Sequence, residues 1–155
     1  MTTTFNSAEP IGLEIKRRLE LRTLALGAET NLGRKVYLGR RNIDHTSIPC
    51  VVIVEGNDTA QRDRTVTEYQ VTQNYVLVAC LKCDIDNPNT IAHAAIRDMK
   101  RAIFPTADRL GATFNGRVAK VEYVGREISP RADGEAFINA IIEISVTYAE
   151  NLANP

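Results

Sequence analysis

The sequence predicts an α+β domain: a mainly antiparallel sheet with two helices packed on one face. Two stretches repeat apolar residues at helical spacing, one near the N-terminus and one in mid-chain. The segments around them alternate apolar and polar residues or run continuously in β-branched ones, with turn chemistry between. The order helix, strands, helix, strands then lets two antiparallel groups share one sheet. No repeat or linker divides the 155 residues, so 1–155 reads as a single domain with flexible termini at 1–9 and 150–155.

The first helix is expected over about residues 10–25, opened by Pro10 with a cap from Ser7 or its neighbours, because Ile11, Ile15 and Leu19 share one face. Lys16, Arg17, Arg18 and Arg22 occupy the other. Gly27, Asn31 and Gly33 mark a loop before a first strand at Lys35–Leu38. A polar stretch from Asn42 ends at Pro49, and Cys50–Glu55 then reads as a central strand covered on both faces. Gly56, Asn57 and Asp58 are turn residues, so an exposed loop is expected as far as Arg64. Val66–Cys83 follows as a long strand, with Tyr75, Leu77, Ala79 and Leu81 opposite Val76, Val78 and Cys80. Asp84–Thr90 is rich in capping residues and introduces a helix that ends before Pro105, its stripe formed by Ile91, Ala95, Met99 and Ala102 with Ile96 and Ile103. Arg117–Val124 alternates as a strand. Pro130, Asp133 and Gly134 form a loop before the clearest strand, where Ile138, Ala140, Ile142, Ile144, Val146 and Tyr148 share a face away from Asn139, Glu143, Ser145 and Thr147.

Nineteen basic residues balance nineteen acidic ones, which removes the simplest electrostatic case for a nucleic-acid binder. The charges are unevenly distributed, however. Lys16 to Arg41 holds eight basic and two acidic residues, while Ala132 to Pro155 holds four acidic and no basic ones. Such asymmetry brings unlike surfaces of neighbouring copies together, or sets one molecule's own helix beside its own strand. The N-terminus lacks the basic and apolar regions of a signal peptide and no run suits a membrane span, so no membrane role is expected. Cys50, Cys80 and Cys83 cannot all pair within one chain, which fits reduced thiols and synthesis in the cytoplasm.

The motifs that carry chemistry are weak. Cys80-Leu-Lys-Cys83 has the spacing of half a zinc site, but no second pair exists, and residues three apart on a strand face opposite sides. Asp84-Ile-Asp86 mimics the start of a calcium loop, yet Asn89 stands where glycine is required and Ala95 where the closing glutamate belongs. No nucleophile elbow, phosphate loop or dinucleotide glycine pattern is present. His45 and His93 have no cysteine or serine beside them in sequence. The expectation is therefore no enzyme, no cofactor and no metal. The best contact candidates are charged residues at helix faces, loops and strand ends: Arg17, Arg18, Arg40, Arg41, Arg62, Arg64, Arg126, Arg131, Asp133 and Glu135. A solvated surface explains such residues about as well as an interface does.

The succession of pieces resembles the tail terminator family of long-tailed bacteriophages, within the broader group of tail completion proteins. The resemblance spans nearly the whole chain. Its carriers are the helix Ile11–Leu24, Val36-Tyr-Leu-Gly-Arg-Arg41, Ile48–Glu55, Tyr75–Cys80 and the helix Thr90–Ile103. Val121–Ile128, the turn Ser129–Glu135 and the strand to Tyr148 look like the family's closing hairpin. The resemblance implies a virion structural protein that forms a homohexameric ring on the tail tube, ends tube polymerisation and presents a surface to the head or neck. The implied partners are other copies of the chain, the tail tube protein and a head-tail connector or neck protein, with DNA only as cargo through the ring lumen. The opposite charges of the two chain ends would supply the ring's unlike sides, so charge reversal at Arg17 and Arg18 is expected to weaken the ring and spare the fold.

Three other roles compete. A head-tail stopper or neck completion protein is the near alternative. A small cytoplasmic enzyme or regulator would need His93, Cys80 and Cys83 to converge in a pocket. A single-strand nucleic-acid module would need aromatic residues beside the basic N-terminal stretch, where only Tyr37 is available.

Overall fold

A five-stranded sheet runs in the order β1-β2-β3-β5-β4, comprising Val36–Leu38 (β1), Cys50–Arg62 (β2), Glu68–Lys82 (β3), Lys120–Ile128 (β4) and Phe137–Asn151 (β5). Two helices, Ala8–Glu20 (α1) and Pro88–Ile103 (α2), complete it. The structure is a computed structural model and describes residues 3–39, 42–129 and 134–155. β1 runs parallel to β2, and all other pairings are antiparallel. The fold is α+β, as the alternation of patterns predicts.

Both helices lie on one face of the sheet. Ile11, Ile15 and Leu19 of α1 and Ala95, Met99 and Ile103 of α2 join a core with Tyr75, Leu77, Ala79 and Leu81 of β3 and the even-numbered residues Ile138–Tyr148 of β5. Period-two alternation sends Val76, Val78, Ile141 and Glu143 to the other face, outside that core. The central pair β3 and β5 stays in register from Glu68↔Asn151 to Lys82↔Phe137. Tyr75 is fully buried, and its hydroxyl donates to the Ala8 carbonyl at 3.0 Å, tying the start of α1 to the sheet.

Several boundaries depart from the sequence reading. α1 starts at Ala8, which places Pro10 at the third position, where a missing N–H is equally harmless. Ser7 is the N-cap residue, but its side chain makes no capping hydrogen bond. The chain leaves α1 at Leu21 and makes a separate 3-10 turn, Leu24–Leu26, closed by Gly27 at φ 89°. β2 is buried only as far as Ile53, with Val54 exposed, and β1 pairs with its edge only over Val51–Ile53. The expected loop at Gly56–Asp58 is instead a bulge within β2, between Glu55 and Asp58. The buried Gln73 side chain donates to the carbonyls of Gly56 and Asn74, which stabilises that irregularity, and β2 continues to Arg62. β4 begins at Lys120 and has its own bulge between Tyr123 and Gly125.

Candidate functional site

The C-terminal half of α1 carries a charge cluster built on Glu14. This carboxylate is buried and accepts from Arg17 at 2.7 and 2.9 Å and from Arg18 at 2.9 Å, with Arg117 3.8 Å away. Spacings of three and four residues put Arg17 and Arg18 within reach of one glutamate on the preceding turn. Burial alone would raise the Glu14 carboxyl, but the hydrogen bonds and charges of Arg17 and Arg18 outweigh it and hold the group below its ordinary value. Three guanidinium groups share this one carboxylate, so the cluster keeps an excess of positive charge.

The two arginines of the predicted contact pair have different fates. Arg17 keeps 58% of its side chain exposed, whereas Arg18 keeps 7%. Arg18 lies over the buried Phe114 ring at 4.8 Å and reaches the Ala102 carbonyl at 3.4 Å, joining α1 to the end of α2. It is an internal tie rather than a surface contact. Reversing its charge would place an anion beside Glu14 in the interior, so reversal at Arg18 is expected to cost the fold itself, and reversal at the exposed Arg17 removes a second hydrogen-bonded partner of Glu14.

The other candidates do not form one cluster. Arg62 ends β2 and Arg64 lies in the following turn, so these two share one end of the sheet, where a groove of about 340 Å³ also takes in Asn6, Glu68 and Glu150. Glu135 is exposed just before β5, at the opposite end, whereas Arg126 pairs in register with Ile142, level with Leu77 near the middle of the sheet. β3 spans fifteen residues, which at about 3.3 Å each separates those ends by roughly 45 Å. Arg40, Arg41, Arg131 and Asp133 lie outside the described residues.

The groups that an enzyme reading would join are also separated. Cys80 pairs in register with Cys50, on the sheet face away from the helices. The neighbouring Cys50 thiol and burial both push the Cys80 thiol up, which keeps it protonated and a poor nucleophile. Cys83 packs against the core, and His93 is exposed on α2, on the other side of the sheet. Among the described residues no group of three or more His, Cys, Asp or Glu is arranged to hold a metal ion, and no helix is long and apolar enough to cross a membrane. A groove of about 650 Å³ beside the start of α2 is lined by Glu29, Asp84, Asn87 and Thr90 with Arg97. Arg97 is already bound to Glu29 at 2.9 Å, and Glu29 is held down to about 2 by Arg97 and Arg101.

Two surfaces of unlike character remain. On the helix side, Leu13, Arg17 and Leu21 follow one another at four-residue spacing along the solvent face of α1, all exposed, with exposed Leu24 and Leu26 just beyond. On the sheet face away from the helices, Val54, Val76, Val78 and Ile141 are at least partly exposed near Glu143, with the exposed Glu122 and Glu127 of β4 on the same face. Sequence periodicity locates the first surface once a helix is assumed. The second needs the register, because its residues come from several strands. Among the described residues no ion pair links the basic N-terminal stretch to the acidic C-terminal one. No family model matches the chain, and no curated protein matches it either.

Proposed function

We propose that this protein is a structural tail terminator: a homohexameric ring that caps a phage tail tube, ends its polymerisation and offers its other side to the head or neck. The observation that carries the reading is the pair of unpartnered surfaces on opposite sides of one fold, a leucine-flanked cation on α1 and an acid-bearing bare sheet face. Unlike surfaces on opposite sides make head-to-tail contacts, and such contacts close into rings when the rotation allows. The long sheet adds a second asymmetry. Its ends, with Arg62 and Arg64 at one and Glu135 at the other, would face the tube and the neck from a single layer of subunits.

The test is the mass and negative-stain image of the purified chain, alone and mixed with tail tubes. A six-fold ring with an axial hole, or density closing tube ends, is the expected result. A protein that stays monomeric and leaves every tube end bare overturns the proposal.

A further inference from the structure

We infer that the solvent face of α1 of one copy, Leu13, Arg17 and Leu21, packs on the bare sheet face around Glu143 of a second copy. The inference rests on the ring reading and specifies the surfaces that would build it. The two patches are opposite in sign. On α1 a cation stands between leucines one turn to either side. On the sheet Glu143 stands between Val76 and Gly125 across the strands and between Ile141 and Ser145 along its own, with the exposed Glu122 and Glu127 of β4 on the same face. Gly125 has no side chain to cover the Glu143 carboxylate, and no atom lies within 4 Å of where its Cβ would be, so this neighbour leaves a notch open from above.

Charge supply agrees with this assignment. Arg17 already holds Glu14, but Glu14 also serves Arg18 and faces Arg117, so the cluster has capacity for another carboxylate. Glu143 takes part in no ion pair among the described residues. Charges on an open sheet face also discourage unwanted stacking, and this alone would account for Glu143. It would not account for an exposed leucine and arginine stripe on the far side of the molecule.

A charge swap separates the readings. With the wild type assembling alone or on tubes, Arg17→Glu and Glu143→Arg should each weaken self-association by about tenfold or more. The double variant, which restores opposite charges across a head-to-tail contact, should recover most of that loss. Leu21→Ser, at an exposed position outside the Glu14 cluster, should weaken assembly without lowering the melting temperature, and it decides the matter with Glu143→Arg if Arg17→Glu disturbs the fold. Rings indifferent to Glu143→Arg, or a double variant no better than the singles, overturn this interface and leave the ring itself standing. A wild type that forms no ring and caps no tube removes the ring reading and the interface together.

Discussion

Glu14 shows how one residue can serve both stability and surface chemistry. Its side chain is buried against the equally buried Arg18 while it also orients the exposed Arg17. Removing the carboxylate strands a guanidinium in the interior, so Glu14→Ala is expected to lower the unfolding free energy by about 3 kcal/mol, read from urea titration. The pH dependence follows from the same contacts. The folded carboxyl titrates below the ordinary value of 4.5 that applies to the unfolded chain. Its contribution is therefore complete above pH 4.5 and is lost as the pH falls through the lower folded value. Melting temperatures recorded down through that window should fall more steeply for wild type than for Glu14→Gln. Parallel curves would show that the pair contributes nothing.

At the scale of elements, the chain between α1 and β1 is held by a residue that no pattern singled out. Asp98 is fully buried on α2 and accepts from the Glu29 backbone N–H at 3.1 Å, the Thr30 N–H at 2.8 Å and the Thr30 hydroxyl at 2.7 Å. The same segment passes so close to α1 at Gly33 that a Cβ there would collide with the Leu19 carbonyl and the Arg22 backbone. Asp98→Ala leaves three donors without their acceptor, and about 3 kcal/mol of destabilisation is expected. Hydrogen exchange should show residues 28–34 losing protection first. Asp98 reads in sequence as an ordinary polar residue on a helix, because its partners lie 68 residues away. The Gly56–Asp58 bulge was similarly unreadable: those residues favour a turn in isolation, and only the continuous partner strand β3 keeps them extended.

Across the whole molecule, protection should follow strand order. β3 is paired on both sides over most of its length, so amides near Leu77, Ala79, Ile142 and Ile144 should exchange slowest. The distal half of β2, beyond the reach of β1, has one unpaired edge and should exchange faster, and equal rates along all of β2 would contradict this arrangement. The sequence by itself determined the α+β class, the two helices, the burial alternation of β3 and β5 and the charge asymmetry of the chain ends, because each is written in local periodicity or composition. Only the tertiary structure decided that Arg18 turns inward while Arg17 stays out, that Cys80 meets Cys50, and that Glu143 shares its sheet face with Val76, Ile141 and the acidic residues of β4. Each of these depends on which distant segment packs opposite a residue, and packing between segments remote in sequence leaves no period in the chain to read.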